Sequence, residues 1–397
     1  MRQPSFVESV ALLALLISLV ALSIDAMLPA LPQIGADLGA AHPGDTPLVI
    51  VALFLGLSAG QLVTGPASDS LGRRPVLLLG LAFYLAGAAI CALAGSFTML
   101  LLGRVVQGFG AAGPRIVATA IVRDRLSGDA MARMMSFIFT VFILVPILAP
   151  IAGQALSDAA GWRANFVGFL VLGVIGGVWF LMRQPETLPR ERRIPFSFAR
   201  IWAGVRETCS NRTVLGYIVA AGLIYGALIG YLGTAQPMFA VQYARGSQFP
   251  FYFAAVALSI GVATTINARL VMRLGMYRLM RSALIFLSSL SVVSVAVAIA
   301  FAGHPPLWLL MIYLFASFFA YGILFGNFSS AAMEPLGHIA GLASAVTASL
   351  TTFISLGIGT VIGRAYDGTV TPLVGSFAGL SVLALGIVLA IGRRRRA

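Results

Sequence analysis

The chain contains no lysine, two cysteines, three histidines and few charged residues of either sign. Charged side chains make up 10% of its 397 residues and apolar side chains 59%, and the mean hydropathy is +0.97. Soluble globular domains carry about 25% charged residues, so this composition excludes such a domain and indicates that lipid is the main solvent. All 26 basic residues are arginine, and the absence of lysine is assigned no function.

The scarce cysteines and histidines exclude two kinds of site. Cys91 lies on an apolar run and Cys209 in a polar connection, so their depths differ too much for a disulfide. His42, His304 and His338 lie in or beside connections, which leaves no cluster of histidine and carboxylate ligands within the membrane. We therefore expect no metal site, no cofactor and no intramembrane enzyme. No ATP-binding motif is present either, so ATP is not the expected energy source.

Long apolar runs follow one another along the chain. A spanning helix needs about 20 residues, and the runs predict about twelve spans, at residues 8–30, 46–67, 75–95, 98–121, 133–156, 165–183, 213–234, 250–271, 280–301, 307–330, 339–361 and 371–391. The first run is expected to remain in the protein, because Asp25-Ala-Met-Leu-Pro29 is a poor cleavage site.

A polar, proline-containing stretch divides the spans into two sets. The predicted fold class is an all-α polytopic membrane protein with two pseudo-symmetric six-helix halves around a central cavity, residues 1–183 and 213–397. Residues 184–212 form the predicted cytoplasmic linker. The segment Asn267–Gly275, after the eighth span, resembles in position and in its glycine and basic residues the segment Gly65–Arg74 after the second, although it lacks the acid.

Arginine is concentrated in alternate connections, which predicts the topology. One set of connections holds most arginines, including seven from Arg183 to Arg212 and the run Arg393–Arg396, whereas the other set holds only Arg163, Arg245 and Arg364. The positive-inside rule then places both termini in the cytoplasm and requires an even number of spans. We expect a multi-pass protein of the bacterial inner membrane. The formal charge of +13 is thus mostly a topology signal, and nucleic acid is not an expected partner. The run Arg393–Arg396 is expected to contact anionic lipid head groups at the inner face of the membrane.

The segment Gly65-Pro-Ala-Ser-Asp-Ser-Leu-Gly-Arg-Arg74 is the most informative motif. Gly65 and Gly72 permit close backbone approach and a tight turn. Asp69 is placed to contact the N-terminus of a neighbouring helix or arginines from an adjoining loop, and so to hold one conformation closed. Arg73 and Arg74 are either part of this gate or only positive anchors at the inner surface.

Asp25 is the main candidate for proton coupling. A carboxylate well inside an apolar run is costly unless it lines a cavity or finds a partner, although hydration near the outer interface is an alternative. On the fourth span, Arg104 and Arg115 are eleven residues apart and lie within roughly 20° on one helical face. Arg104 lies at a depth comparable to that of Asp25 and is either its partner or a structural charge bonded to helix ends.

Other residues are candidates for a substrate cavity or a bent helix. Gln107 and Gly108 lie near the stripe of the two arginines on the fourth span, and Tyr225 and Asn327 are candidate cavity residues in the second half. Pro146 and Pro150 remove backbone donors from the fifth span and favour kinks, while Gly153 permits close helix contact.

Several motifs resemble those of the major facilitator superfamily, and within it the drug:proton antiporters of the bicyclomycin and chloramphenicol resistance (Bcr/CflA) subfamily. The resemblance covers essentially the whole chain. Gly65–Arg74 resembles the superfamily's signature between the second and third spans. Leu102–Ala112 is similar to the fourth-helix signature of proton-coupled members, and Val145–Gly153 to the fifth-helix antiporter motif. Leu28–Pro32 and Glu334–Gly341 are similar to segments of the drug-resistance subfamily.

The resemblance implies proton-coupled efflux of small amphipathic drugs by alternating access. The expected partners are a drug, protons and membrane lipids, and a monomer is the expected working unit. Ala149 and Gln154 stand where the antiporter motif commonly has glycine. A proton symporter or facilitator for a small metabolite, with the same fold, therefore remains an alternative.

Overall fold

The computed structural model describes residues 4–394 and consists of helices joined by short turns. Arg395 and Arg396, at the end of the predicted lipid-binding run, lie outside this range. No strand occurs between residues 4 and 394, and the predicted all-α polytopic fold class is confirmed. The α-helices are α1 Phe6–Asp25, α2 Leu31–Leu38, α3 Leu48–Leu71, α4 Arg73–Ala92, α5 Phe97–Arg125, α6 Gly128–Ala160, α7 Arg163–Arg183, α8 Phe198–Ser210, α9 Arg212–Pro237, α10 Phe249–Leu274, α11 Met276–Ala300, α12 Leu307–Met333, α13 Ala340–Arg364 and α14 Thr371–Arg394.

Eleven stretches of the described chain are long and apolar enough to cross a membrane. One of them, Leu307–Arg364, contains both α12 and α13, which are separated by a 3-10 turn at Glu334–Ile339. The first stretch, Phe6–Leu38, extends beyond the predicted end at residue 30. Pro29 and Pro32 do not end it, because each lies at the start of a new helical segment, where proline's missing N–H costs no hydrogen bond.

The helices form two compact units. Unit 1 contains the described residues up to Ala41 together with Leu48–Ala203, and unit 2 contains His42–Pro47 and the described residues from Gly204 onwards. The division between Ala203 and Gly204 lies within α8, inside the stretch predicted as a linker.

In unit 1, α5 packs against α3 and α4 through backbone-to-backbone contacts. A Cβ atom added to Gly108 of α5 would lie 1.9 Å from the Leu53 carbonyl oxygen of α3. A Cβ atom on Gly56 of α3 would lie equally close, 1.9 Å from the Val105 carbonyl oxygen. Since small residues let helix backbones approach in a membrane protein, these glycines determine the distance between α3 and α5.

Replacing Gly108 by Val is expected to separate α3 from α5. The added atoms would collide with backbone, which cannot rotate away as a side chain can, so the cost should reach the upper end of the ~1–3 kcal/mol typical of overpacking. Thermal unfolding in detergent would measure it. Gly379→Val in α14 is the matched control, because no atom of the described residues lies within 4 Å of a Cβ at that position. Equal melting temperatures for the two variants would contradict the prediction.

In unit 2, α9 and α13 pack through a ladder of glycines against isoleucines. Cβ atoms added to Gly222, Gly226 and Gly230 of α9 would each lie 2.6–2.7 Å from an isoleucine of α13. The three isoleucines follow the same four-residue interval, at Ile354, Ile358 and Ile362. Beyond the ladder, a Cβ atom on Gly233 would lie 2.8 Å from the Pro47 side chain.

Both units contain the same one-residue turn between two long helices. In unit 1, α3 continues to Leu71 and α4 begins at Arg73, so only Gly72 connects them, with φ of 106°. In unit 2, Gly275 connects α10 to α11 with φ of 77°. Glycine suits both positions because it adopts positive φ without steric cost. The expectation that Gly65 belongs to the turn is wrong, since Gly65 lies within α3.

Candidate functional site

Arg104 of α5 is completely buried in unit 1 and joins three helices. Its Nη2 donates a hydrogen bond to the Ser23 carbonyl of α1 at 2.9 Å, and its Nε donates to the Val49 carbonyl of α3 at 3.1 Å. Its Nη1 donates to Gln107 Oε1, one turn along α5, at 2.8 Å. A buried guanidinium requires such acceptors, because an unsatisfied charged donor is costly in an apolar interior.

The hydrogen bonds continue from Arg104 to a fourth helix. Gln107 Nε2 donates to Ser23 Oγ at 3.4 Å, and Ser23 Oγ lies 2.7 Å from the hydroxyl of Tyr84 in α4. Gln107, Ser23 and Tyr84 are all fully buried. These four residues, which we call the Arg104 cluster, connect α1, α3, α4 and α5 by polar contacts within an apolar bundle.

Asp25 is the last residue of α1, two residues after Ser23. Its side chain is buried, and within residues 4–394 it forms neither an ion pair nor a hydrogen bond. The predicted partnership with Arg104 is therefore not formed in this structure, because backbone carbonyls and Gln107 occupy the guanidinium. Arg104 instead bonds to helix backbone, the alternative considered for it. Its acceptor on α1, the Ser23 carbonyl, lies two residues before Asp25.

The backbone of α6 lies against the end of α1. A Cβ atom added to Gly153 would lie 2.0 Å from the carbonyl oxygen of Ala26, the residue after Asp25. Pro146 and Pro150 lie inside α6, which continues as a helix through both. The end of the antiporter-like motif, Gly153, therefore lies against the residue that follows Asp25, the candidate for proton coupling.

Of the remaining cavity candidates, Gly108 and Arg115 belong to α5 in unit 1, and Tyr225 and Asn327 belong to unit 2. Gly108 packs on α3, and Arg115, although on the predicted face of α5, is exposed. In unit 2, Tyr225 of α9 stacks on Phe325 at 4.2 Å between ring centres. Asn327 of α12 is buried and donates to Asn267 Oδ1 at 2.9 Å.

A second polar cluster surrounds the turn at Gly72. Arg73 is 4% exposed, and its Nη1 pairs with Asp69 Oδ1 at 2.5 Å. Its Nε pairs with Asp124 Oδ2, at the end of α5, at 2.8 Å. Arg73 is thus a buried ion-pair residue rather than a surface anchor, and Asp69 contacts this arginine instead of a neighbouring helix N-terminus.

Glu186 binds the N-terminus of α4. Its carboxylate accepts hydrogen bonds from the backbone N–H groups of Arg73 at 2.9 Å and Arg74 at 3.1 Å, an arrangement favoured by the helix dipole. A Cβ atom on Gly72 would lie 2.5 Å from Glu186 Oε2, so a larger residue here would displace this carboxylate as well as strain the positive φ. The Arg74 side chain donates to the Leu181 carbonyl at 2.7 Å.

We expect Asp69→Asn to lower turnover with little loss of substrate affinity, because it weakens one contact of Arg73 without touching the Arg104 cluster. Asp124→Asn should lower turnover further and also reduce thermal stability. The Asp124 side chain is 14% exposed and that of Asp69 40%, and a buried pair loses more when one partner is removed. Transport kinetics and melting temperatures in parallel would measure both effects.

Asp129→Asn is the control for these two variants, since Asp129 is exposed in the first turn of α6. Turnover of Asp69→Asn equal to that of the control would contradict the predicted gating role of Asp69.

A family model described as Major Facilitator Superfamily matches residues 13–362. The chain belongs to this superfamily. It is therefore a transporter and not an enzyme. Within residues 4–394 no group of three or more His, Cys, Asp or Glu residues is arranged to hold a metal ion.

Bacterial relatives of this superfamily member match over nearly their whole length. The uncharacterized MFS-type transporter YdgK of Bacillus subtilis is 30% identical, covering 89% of this chain and 87% of that protein. A bicyclomycin resistance protein homolog of Haemophilus influenzae is 28% identical, covering 96% of each. The multidrug resistance protein MdtL of Salmonella heidelberg is 26% identical, covering 94% of this chain and 92% of that one.

Solved structures of the superfamily have the same fold. The human organic anion transporter MFSD10 (TETRAN) superposes with a TM-score of 0.73 at 21% identity, covering 97% of this chain and 100% of that one. The xylose transporter XylE of E. coli gives 0.74 at 11% identity, covering 98% of each chain. At these identities the comparison establishes the fold alone.

Sequence reasoning missed several residues of the two clusters in this superfamily member. Ser23 and Tyr84 carry no signal in the sequence beyond being polar groups on apolar runs. Asp124 and Glu186 had a signal, because the chain has only 13 acidic residues and both lie among arginines at span ends. An acid in such a position is a candidate partner for a buried arginine.

Proposed function

We propose that this transporter exports small amphipathic drugs in exchange for protons. The observation that carries the proposal is Asp25, a buried carboxyl group at the end of α1 that has no ion-pair partner within residues 4–394. The charged form of such a group is costly in an apolar interior. It is therefore suited to accept a proton from one aqueous face and to release it when water or substrate reaches it from the other.

The relatives support drugs as the substrate class. Two of them are named for bicyclomycin resistance and for multidrug resistance. Moving one elementary charge through 100 mV supplies about 2.3 kcal/mol, so a proton gradient is a sufficient energy source for exporting a small molecule against its own gradient.

The proposal includes an orientation. The arginine-rich end of each unit would face the cytoplasm of a bacterial cell, with both termini inside and the protein in the inner membrane. The Gly72 turn, Asp69 and Glu186 would then lie at the cytoplasmic surface, where a gate of alternating access is needed. A monomer surrounded by lipid would suffice, since each unit has its own packed helices.

The sign of a pH change tests the proposal. Inside-out vesicles carrying the transporter would be energised until the lumen is acid, and a panel of drugs that includes bicyclomycin would be added outside. Drug-dependent loss of the acid lumen, absent from vesicles without the protein, is the result expected of an antiporter. A fluorescent pH indicator in the lumen gives the readout.

The alternative function is a proton symporter or a facilitator for a small metabolite. This alternative is favoured by Ala149, which occupies a position of the antiporter motif where glycine is common. A symporter would acidify the lumen further when its substrate is added. A facilitator would take up labelled compound without any change in lumen pH.

A further inference from the structure

Unit 2 contains a cavity of about 690 Å³ at its arginine-rich end. Tyr217 of α9, the turn at Leu274 and Gly275, and Leu389 of α14 form part of its wall. Two arginines, Arg278 and Arg281, line it from the first turns of α11. The cavity is thus polar on the side of α11 and apolar on the side of α14.

Neither arginine has a counter-charge in the described part of the chain. Within residues 4–394 the side chains of Arg278 and Arg281 form no ion pair and no hydrogen bond, and both are exposed. The nearby carboxylate of Glu334 accepts a hydrogen bond from the Tyr277 hydroxyl instead. Two adjacent cations at the mouth of a cavity provide an electrostatic site for an anion.

At the corresponding turn of unit 1, an acidic side chain of the protein occupies the space beside the glycine. There the carboxylate of Glu186 lies against Gly72 and binds the N–H groups of Arg73 and Arg74 at the start of α4. At the same one-residue turn of unit 2, no atom of the described residues 4–394 lies within 4 Å of a Cβ on Gly275. The position that an acidic side chain fills in unit 1 is open in unit 2.

We propose that this cavity binds the phosphate group of an anionic phospholipid, with Arg278 and Arg281 at the phosphate and an acyl chain along the apolar wall of α14. Basic pockets between spanning helices are suited to lipid head groups. Free inorganic phosphate shares the anionic chemistry, but the apolar wall at Val388 and Leu389 favours a ligand that also carries hydrocarbon. Bound lipid would hold the α10–α11 turn as Glu186 holds the α3–α4 turn.

Lipid binding to the purified protein tests the proposal. The protein in a neutral detergent would be titrated with phosphatidylglycerol, with phosphatidylcholine and with inorganic phosphate alone, and bound lipid would be counted by native mass spectrometry. Melting temperatures would be measured on the same samples. The paired variant is R278Q/R281Q, and R269Q/R273Q on the neighbouring end of α10 removes the same charge from exposed positions outside the cavity.

We expect phosphatidylglycerol to bind the wild type and R269Q/R273Q with equal affinity, and R278Q/R281Q about 30-fold more weakly. Equal binding by R278Q/R281Q and the wild type would overturn the proposal. Stabilisation by inorganic phosphate as large as that by phosphatidylglycerol would overturn the lipid as the ligand. Leu389→Trp, which fills the apolar wall and keeps both arginines, should also weaken phosphatidylglycerol binding; unchanged binding by this variant counts against the acyl-chain site.

Discussion

Replacing Asp25 by Asn is expected to reduce drug-driven proton movement to the level of vesicles without the protein. Asparagine has nearly the same shape but cannot carry a proton on and off the side chain. Because the Asp25 side chain forms no ion pair or hydrogen bond in the described part of the chain, its replacement breaks no polar contact. The variant should therefore remain folded, with a melting temperature at least equal to that of the wild type.

Drug-for-drug exchange separates coupling from binding in this variant. Exchange of labelled for unlabelled drug across the vesicle needs substrate binding and alternating access but no net proton movement. Asp25→Asn should retain exchange and lose proton-coupled uptake. Asp37→Asn is the control, because Asp37 lies on the same apolar stretch and accepts a hydrogen bond from Trp162 at 2.8 Å, which asparagine can also accept. Persistent drug-driven proton movement in Asp25→Asn would assign coupling to another group.

Arg104→Leu is expected to abolish transport and to destabilise unit 1. The substitution removes three hydrogen bonds from a fully buried side chain and leaves Gln107 without its charged partner. Hydrogen bonds to charged groups contribute roughly 1.5–3 kcal/mol each, so the total loss should exceed about 3 kcal/mol. Thermal unfolding and vesicle transport would measure the two effects.

Two further variants distinguish the charge of Arg104 from its geometry. Arg104→Lys keeps the charge but lacks the planar fork that reaches Ser23, Val49 and Gln107 together. We expect it to fold and to transport at a low rate. Arg115→Leu, on the same helix face but exposed, should change the melting temperature little. A stable, fully active Arg104→Leu protein would show that the Arg104 cluster is dispensable.

The helices were largely predictable from the sequence, because apolar runs of spanning length carry a strong signal. For example, the run predicted at 307–330 is α12, Leu307–Met333, and the run at 165–183 is α7, Arg163–Arg183. Helix ends were less predictable, since polar residues continue a helix beyond the apolar part. The segment from Gly65 to Leu71 has turn-like residues and is nevertheless the last part of α3.

The partners of the charged residues could not be predicted from spacing. Their similar depth in the membrane suggested that Asp25 is the ion-pair partner of Arg104. In the structure, backbone carbonyls of α1 and α3 accept hydrogen bonds from the guanidinium instead. Such backbone acceptors have no signature in the sequence. Arg73 forms an ion pair with Asp124, which lies 51 positions later in the chain. Such pairings depend on which helices are neighbours and how they are rotated, and both follow from packing of the whole unit.

The ladder of glycines and isoleucines between α9 and α13 bears on how firmly the axial position of the two helices is fixed in unit 2. Its contacts repeat every four residues, so sliding α13 by about one helical turn would return most isoleucines to a glycine. The ladder therefore sets the distance between the two helices but leaves their axial position nearly degenerate. Pro47 is seated against Gly233 and Gly363 where the ladder ends. Together with the hydrogen bond that Ser355 Oγ of α13 donates to the Gly222 carbonyl of α9 at 3.1 Å, this contact favours one axial position of the two helices over the others.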